Sequence, residues 1–396
     1  MTMKFPLMRN NILPADLEDV IKLLRQEDPR LTSGARVQEF EQAWSQWLGV
    51  KYSVFINSGA SSNLLALAWL KSKYPGGGRV VLPPFTWSSD ISAVHWMGFE
   101  LEFVDITLAT LAINEALLAE VIDKYDDIRA VFLTHAQGVN GLTPKIIDLC
   151  KESNIYLLED VCESHGVVLG NGNKAGSEGI ISCFSFYYAH HMSTIEGGML
   201  CTNNSEIYQY FRMIRSHGML RECTDDQIQQ QYIDEYPDLN PSFVFTSPGF
   251  NVRNNEIGAI IGLSQLKRLD FMIEKRIANF EYFLKNLPGW AFVDFNLEGQ
   301  SNYAFNLILN EPDQSLMHKV EQTLTLNGVE YRRGSAGGGN QLRQPYVRSI
   351  PKFKLIDPSE AAPVADHIHF YGMYLGNYPD MARSQIDSLL DIINRI

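Results

Sequence analysis

The chain has 396 residues, of which 45% are hydrophobic and 20% are charged. This composition allows a large buried core, and the length predicts about two domains. The formal net charge of −13, from 46 acidic and 33 basic residues, argues against nucleic acid or an anionic membrane as a partner.

The sequence also lacks the signals of a membrane, secreted or metal-binding protein. No apolar run approaches the roughly 18 residues that span a bilayer, and the opening MTMKFPLMRN lacks the long apolar stretch of a signal peptide. The five cysteines are widely spaced and form no C-x-x-C pair, which argues against a disulfide framework, zinc or an iron–sulfur cluster. We therefore expect a cytoplasmic protein without a metal site.

From Tyr52 onward, strand-like segments alternate with helical ones. The runs SVFIN, RVVLP, AVFLTH and IYLLED are apolar throughout, as in strands that are buried on both faces. Alternation of this kind predicts parallel strands joined by helical crossovers. We therefore predict an α/β fold whose large domain, with a mainly parallel sheet, covers residues 1–270.

The pattern changes in the last third of the chain. Residues 256–286 predict one long helix that links the two parts, and a smaller α+β domain follows over residues 271–396. Its signals are the strand-like YAFNLIL and VEYRR and two helical segments, SLMHKVEQTLTLNG and MARSQIDSLLDIINRI. The glycine-rich run GSAGGGN at 334–340 predicts a flexible loop.

The first candidate binding element is NSGASS, between a predicted strand and a predicted helix. Ser58, Gly59, Ala60 and Ser61 occupy the turn and the first helical positions. Free backbone N–H groups and the helix dipole favour a phosphate at such a place. The alternative is an ordinary strand-to-helix turn in which serine caps the helix.

A carboxylate, Asp160, comes directly after the apolar run IYLLE. This position lies near the crevice where α/β sheets bind ligands, and a buried carboxylate needs a partner. The protonated nitrogen of a pyridine ring and a structural Arg or Lys are both suitable partners.

Two further residues are candidates with a structural alternative. Trp87, after a buried strand, could stack on a flat ring or belong to the core. Asn251 precedes a helix that it could cap.

The segment SFYYAHHMSTIEGGML carries two adjacent histidines, His190 and His191, in a polar loop after a predicted strand. A histidine can act as an acid or base near neutral pH, because its unperturbed pKa lies near 6.5. A structural histidine, satisfied by its neighbours, is the alternative at either position.

In order and spacing, these segments resemble the DegT-like sugar aminotransferases, which belong to the aspartate-aminotransferase-like, fold-type-I enzymes of pyridoxal phosphate. The resemblance covers nearly the whole chain and rests on NSGASS, PPFTW, HAQG, LEDVCESHG, SF…EGGM, RSHGM and PGFNVRNNEIGAIIG. It implies pyridoxal phosphate or pyridoxamine phosphate as the cofactor, and a homodimer with shared active sites.

The resemblance assigns cofactor contacts to particular residues. Asp160 would meet the pyridine nitrogen and Trp87 would stack on the ring. Asn251 would reach the phosphate bound by the other subunit, and Glu163 stands where many relatives carry glutamine beside the cofactor hydroxyl. The residues that would hold the phosphate are Gly59, Ala60 and Ser185.

The chain departs from the family at the residue that normally anchors the cofactor. Members typically read S-F-x-x-x-K-x-x-x-x-x-E-G-G, and His190 takes the place of the lysine. A histidine cannot form the covalent resting state of a transaminase. The substitution resembles a branch of the family, the sugar 3-dehydratases, whose Y-x-x-H-H-x-x-T-x-E-G-G loop is matched from Tyr187 to the glycine pair.

This branch implies removal of the C3 hydroxyl from a nucleotide-linked 4-keto-6-deoxy sugar, with GDP-4-keto-6-deoxymannose as the expected substrate. His190 would be the catalytic residue, Tyr187 and Arg332 would bind substrate, and L-glutamate would restore the amine of the cofactor. Such a reaction belongs to dideoxysugar biosynthesis.

Two other functions remain open from the sequence. One is a nucleotide-sugar aminotransferase that uses a displaced lysine, for which Lys174 is nearest in sequence to the loop. The other is a sugar or cofactor sensor without catalysis. A retained amino group would indicate the aminotransferase, and binding without turnover would indicate the sensor.

Overall fold

The computed structural model describes residues 4–396. Its helices are α1 (Pro14–Leu24), α2 (Ala35–Leu48), α3 (Gly59–Lys73), α4 (Ser88–Trp96), α5 (Glu115–Lys124), α6 (Pro144–Glu152), α7 (Ser205–Ile214), α8 (Asp226–Glu235), α9 (Glu256–Leu266), α10 (Leu269–Lys285), α11 (Gln314–Leu326), α12 (Pro345–Arg348), α13 (Pro358–Ala361), α14 (Pro363–Tyr371) and α15 (Arg383–Ile393). Over the described range, none of these helices is long and apolar enough to cross a membrane.

Ten strands form two sheets in the described chain. They are β1 (Tyr52–Ile56), β2 (Arg79–Leu82), β3 (Glu100–Phe103), β4 (Ile128–Thr134), β5 (Tyr156–Asp160), β6 (Ile181–Ser185), β7 (Gly198–Thr202), β8 (Phe305–Ile308), β9 (Tyr331–Arg333) and β10 (Gly372–Leu375). The large sheet has the order β1-β7-β6-β5-β4-β2-β3, and only β7 runs antiparallel to its neighbours. The prediction of a mainly parallel sheet is confirmed.

The large sheet is buried on both faces, as its apolar strands predict. Along β1, Val54 and Ile56 enter one hydrophobic cluster whereas Phe55 enters a second cluster on the opposite face. Each face is therefore covered by packed helices. The polar ends of the strands are the places where side chains remain available for chemistry.

The C-terminal part contains the small antiparallel sheet β8-β10-β9 with α11, α14 and α15. The prediction of one long helix over 256–286 is wrong, because α9 ends at Leu266 and α10 begins at Leu269. Arg268 stands at this break and forms an ion pair with the buried Asp16 at 2.6 Å. The domain boundary between residues 270 and 271 falls inside α10 and stays a prediction.

The glycine-rich loop at 334–340 is packed rather than flexible, so that expectation is wrong. Ser335 and Asn340 are buried. A Cβ atom on Gly337, whose φ is +59°, would lie 2.1 Å from the carbonyl oxygen of Thr86. Glycine is therefore required where this loop lies against the loop that follows β2.

Candidate active site

Nine of the ten predicted site residues line one cavity of about 380 Å³. The turns after β1, β2, β5 and β6 bring most of them together, because parallel strands end at the same edge of the sheet. The nine are Gly59, Ala60, Trp87, Asp160, Glu163, Ser185, Tyr187, His190 and Arg332.

One end of the cavity is a close approach between a helix start and a strand end. Ser58 caps α3 and accepts a hydrogen bond from the Ser61 N–H at 3.1 Å. A Cβ atom on Gly59 would lie 2.6 Å from Cβ of Ser185. Glycine thus allows the Ser185 hydroxyl to lie beside the free N–H groups of the first helical turn, an arrangement that suits an anion.

Asp160 ends β5 and is 4% exposed. One carboxylate oxygen accepts a hydrogen bond from the Cys162 N–H at 2.8 Å, and the other accepts one from Nδ2 of Asn63 at 2.9 Å. These neutral donors fix its orientation and leave its negative charge available for a cation in the cavity.

Glu163 follows three residues later and is held by the loop after β4. Its Oε2 accepts hydrogen bonds from the backbone N–H of Gln137 at 3.0 Å and from the side-chain amide of Gln137 at 3.2 Å. Burial, opposed by the hydrogen bonds from Gln137 and reinforced by the charge of Asp160, raises the pKa of Glu163 to about 7. This carboxyl can therefore accept or donate a hydrogen bond near neutral pH.

His190 lies at the wall of the cavity with one free ring nitrogen. Its backbone N–H donates to the Tyr187 carbonyl at 3.0 Å, and its own carbonyl accepts a hydrogen bond from Asn11 at 3.4 Å. Nδ1 is buried without a partner among the described residues. Burial lowers the pKa of His190 to about 4, although the negative charge of Asp160 acts in the opposite direction. The imidazole is neutral at pH 7 and can accept a proton.

Two further histidines pack behind His190. His191 is fully buried, and its Nε2 lies 2.5 Å from the Ser301 carbonyl oxygen. The ring of His165 is tilted against both, with its centroid 5.3 Å from that of His191 and 6.0 Å from that of His190. Burial lowers the pKa of His191 to about 3 and that of His165 well below its usual value. These contacts suit the structural role that the sequence left open for His191.

The mouth of the cavity is more open than its floor. Trp87 is 57% exposed and Tyr187 is 46% exposed. The Arg332 side chain is 58% exposed and forms an ion pair with Glu330 at 3.3 Å. An exposed arginine and two aromatic faces can contact a large anionic ligand that enters from solvent.

Two residues that were considered from the sequence lie away from this cavity. Asn251 is exposed and accepts a hydrogen bond from Arg253 at 3.3 Å, so its predicted role toward a second subunit stays a prediction. Lys174 donates to the Trp47 carbonyl at 2.8 Å and lies over the Trp47 ring. No lysine is among the cavity-lining residues in the described range 4–396.

Several lining residues were not singled out from the sequence. Tyr303 and Tyr374 come from the C-terminal part, and Leu7 and Met8 come from the N-terminal segment. They reach the cavity through long-range packing, which no local pattern announces. His135 could have been found, because it occupies the end of a predicted strand in the motif HAQG.

The residues fit pyridoxal phosphate on structural grounds. The N-terminus of α3 and Ser185 can hold a phosphate, and Asp160 offers a buried negative charge without an ion-pair partner in the described chain. The exposed face of Trp87 is available to a flat ring. His190, which occupies the lysine position of the predicted family's sequence motif, lines the same cavity.

The chain belongs to the DegT/DnrJ/EryC1/StrS aminotransferase family, whose model matches residues 12–394. It is 30% identical over 401 residues to GDP-4-keto-6-deoxy-D-mannose 3-dehydratase of Yersinia pseudotuberculosis, with 99% of this chain and 98% of the relative covered.

Solved structures of the same kind of dehydratase superpose on nearly the whole chain. A histidine-to-asparagine mutant with bound GDP-perosamine has a TM-score of 0.85 and 28% identity, and covers 98% of this chain and 100% of its own. The dehydratase with a trapped adduct of pyridoxal phosphate and glutamate, a geminal diamine, has a TM-score of 0.85 and 27% identity at the same coverage. The predicted family and fold class are confirmed.

Proposed function

We propose that this protein is a pyridoxal-phosphate-dependent 3-dehydratase of GDP-4-keto-6-deoxymannose that uses L-glutamate as amino donor. One observation carries the proposal: His190, which takes the place of the family's lysine in the sequence motif, lines the same cavity as Asp160 and Ser185. The full-length similarity to dehydratases supports the same substrate.

The net reaction consumes the keto sugar and glutamate. The C3–O bond breaks, the sugar keeps its C4 ketone, and the products are the 4-keto-3,6-dideoxy sugar, 2-oxoglutarate and ammonia. Two electrons from the oxidation of glutamate reduce C3 of the sugar. This reaction belongs to dideoxysugar biosynthesis, and the cytoplasmic location stays a prediction.

Four groups of the chain would hold the cofactor. Gly59 and Ala60 at the start of α3, with Ser185, would bind the phosphate. Asp160 would keep the ring nitrogen protonated and Trp87 would cover one face of the ring. When bound, the cofactor would supply a reactive amine and a conjugated ring that holds the electron pair left by deprotonation of the amine-bearing carbon and passes it to the sugar as the C3–O bond breaks.

His190 would move the protons of the reaction. In the neutral form that burial favours, His190 would take a proton from C4′, the carbon of the cofactor that carries the amine, and the resulting imidazolium would then donate a proton to the departing C3 hydroxyl. An imidazolium with a depressed pKa is a strong donor. One side chain can therefore serve both steps.

Arg332 and Tyr187 would bind the nucleotide part of the substrate. Arg332 lies on β9 at the cavity mouth, where its guanidinium can meet a diphosphate. Glu330, which forms an ion pair with Arg332, reduces the net positive charge at the cavity mouth. Guanine as the base follows from the relatives alone.

The two alternatives have less support. The aminotransferase needs a lysine at the cofactor, and Lys174 is engaged with Trp47 outside the cavity. A sensor without catalysis would not need a free, buried histidine nitrogen beside the intact Asp160 and Ser185. Neither alternative explains both the histidine at the lysine position and the intact Asp160 and Ser185 in the same cavity.

We also propose that two copies complete each other's sites. Five large apolar side chains near the mouth and on the segment before Asn251 are more than 40% exposed: Trp87, Tyr187, Ile195, Phe243 and Phe245. Such exposure is typical of surfaces that meet a partner. Asn251, exposed on the same segment, would reach the phosphate site of the second copy.

Complementation tests this arrangement. Asp160→Ala and Asn251→Asp variants, each weakly active alone, are mixed after partial denaturation. If Asn251 serves the other subunit, half of the random dimers contain one intact site, and about a quarter of the wild-type activity returns. Mixtures without recovery, at a proven dimer mass, would contradict the shared site.

The function is tested with purified protein, pyridoxal phosphate, L-glutamate and GDP-4-keto-6-deoxymannose, and the sugar nucleotide is followed by mass spectrometry. We expect loss of one oxygen without gain of nitrogen, and no such product with His190→Asn. A retained amino group would establish the aminotransferase instead. Binding without any product would favour the sensor.

A further inference from the structure

A second carboxyl group lies beneath Asp160. Asp90, in the first turn of α4, is 1% exposed and does not line the cavity. Its Oδ1 lies 2.5 Å from Nδ2 of Asn63, and the same nitrogen lies 2.9 Å from Oδ2 of Asp160. Asn63 thus bridges the two carboxyl groups, and Asp160 acts on the pKa of Asp90 through its charge and a side-chain hydrogen bond.

The other contacts of Asp90 are hydroxyl groups. Thr86 and Thr134 both donate to its Oδ2, the latter at 3.2 Å, and Ser89 lies 3.3 Å from its Oδ1. The two threonine hydroxyls are 2.7 Å apart. The donors are all neutral, so they orient Asp90 without supplying a positive charge.

No cation compensates the two carboxyl groups in the described chain. The titratable groups that face Asp90 from the packed elements are Asp160, Cys162, Cys183 and Tyr346. Burial raises the pKa of both cysteines and of the tyrosine, which are therefore neutral at pH 7. Two adjacent, desolvated carboxylates cannot both be ionised at low cost.

We propose that Asp90 is a positioning residue that keeps its own proton and donates a hydrogen bond to Asp160, so that Asp160 carries a single negative charge toward the ring nitrogen of the cofactor. The inference rests on the proposed placement of the ring over Asp160. It adds a residue that does not touch the cofactor but controls where the ring proton resides.

The protonation states follow from the environment. Burial, then the charge and hydrogen bond of Asp160, raises the pKa of Asp90 well above its usual value. A neutral Asp90 that donates a hydrogen bond to Asp160 stabilises the negative charge there. The proton then stays on the ring nitrogen. Without this donor, Asp160 becomes the stronger base and draws the proton away from the ring.

Two substitutions separate this role from simple packing. Asp90→Asn keeps a neutral donor of the same shape, whereas Asp90→Leu keeps the branching of the side chain and removes the donor. Asp105→Asn is the matched control, because Asp105 is also a buried aspartate but bonds to the N–H groups of Val364 and Ala365 at the start of α14.

The readout is the ¹⁵N resonance of pyridoxamine 5′-phosphate labelled at its ring nitrogen and bound to each protein. We expect a protonated nitrogen in wild type, Asp90→Asn and Asp105→Asn. Asp90→Leu should lower the ratio of protonated to unprotonated nitrogen at least about tenfold, since a hydrogen bond to a charged group is lost. An unchanged resonance in Asp90→Leu would overturn the proposal.

Asp160→Asn distinguishes failure of this inference from failure of the proposed site. If that variant also leaves the resonance unchanged, the ring does not lie over Asp160 and the placement itself is wrong. If only Asp90→Leu has no effect, the placement stands and Asp90 has no role in it.

A second measurement covers the case in which Asp90→Leu does not fold. A raised pKa in the folded state means that wild type loses stability relative to Asp90→Asn as pH rises above about 3.8, the ordinary value, until the folded pKa is passed. Urea unfolding of both cofactor-free proteins between about pH 4 and pH 8 should show this growing difference. A constant difference would contradict a protonated Asp90.

Discussion

The floor and the mouth of the candidate active site are built in opposite ways. At the floor, Asp160 is 4% exposed, and its carboxylate oxygens accept hydrogen bonds from the Cys162 N–H and the Asn63 side-chain amide. At the mouth, Trp87, Tyr187 and Arg332 are each about half exposed, and Arg332 has a single ion-pair partner. The side chain of Asp160 at the floor is therefore oriented before any ligand binds. The exposed side chains at the mouth remain available for contacts with a ligand.

This difference indicates a division of roles. Chemistry benefits from groups that are already oriented and desolvated, so the floor and His190 should determine the turnover rate. Binding of a large anionic substrate needs an accessible surface, so the mouth should determine affinity. Substitutions at the two places should therefore change different kinetic constants.

The largest effect is expected at the histidine that joins the two regions. His190→Asn removes the acid–base group and should lower kcat by about 10²- to 10⁴-fold, with the absorption spectrum of bound cofactor retained. The neighbouring His191→Asn should lose thermal stability while kcat stays within about tenfold, because His191 bonds to Ser301 rather than facing the cavity. Equal losses of kcat would refute the assignment.

The next effect lies at the mouth. Arg332→Ala should raise KM for the GDP-sugar about 10- to 100-fold through loss of a charge-assisted contact, with kcat little changed. Arg333→Ala is the control, since Arg333 lies on the same strand, pairs with Glu321 and does not line the cavity. A fall in kcat with constant KM would place Arg332 in the chemistry instead.

Two histidines, His190 and His191, should make the stability of the folded protein sensitive to acid. Burial lowers the pKa of His190 to about 4 and of His191 to about 3, so the unfolded chain binds protons that the folded chain does not as pH falls below about 6.5. Stability should therefore be present above that pH and decline toward pH 4, by on the order of 1–3 kcal/mol for each histidine.

Urea unfolding of the cofactor-free protein at several pH values measures this decline. His191→Asn should reduce its slope, whereas His217→Asn, at an exposed position outside the cavity, should not. An unchanged slope in His191→Asn would show that this buried histidine does not take up a proton on unfolding.

The smallest effect is expected from the aromatic face. Trp87→Leu should weaken cofactor binding only a few-fold, because stacking on an exposed ring contributes about 1 kcal/mol. Fluorescence titration of the cofactor measures it. A loss of two orders of magnitude would mean that Trp87 belongs to the fixed floor.

Much of the site could be predicted from the sequence because its residues follow strand ends in recognisable motifs. Asp160, Ser185 and His190 are such cases, and all three line the cavity. Asp90 follows the same strand as Trp87 but was passed over, since a polar residue in the first turn of a helix is usually a solvent-exposed one.

The parts that were missed depend on long-range packing. The break between α9 and α10 carries no glycine or proline, and the pairing of Arg268 with Asp16 fixes it from more than 250 residues away. The glycine-rich sequence of residues 334–340 predicts a flexible loop, and only the folded structure shows that Gly337 packs against the backbone of Thr86. Tyr303 and Tyr374 likewise reach the cavity only in the folded chain.

The fate of nitrogen tests the central claim most directly. With ¹⁵N-labelled L-glutamate and GDP-4-keto-6-deoxymannose, a dehydratase releases the label as ammonia in the same amount as 2-oxoglutarate, and the sugar nucleotide carries none. We predict this result. Label bound to the sugar would contradict the account and make the protein an aminotransferase.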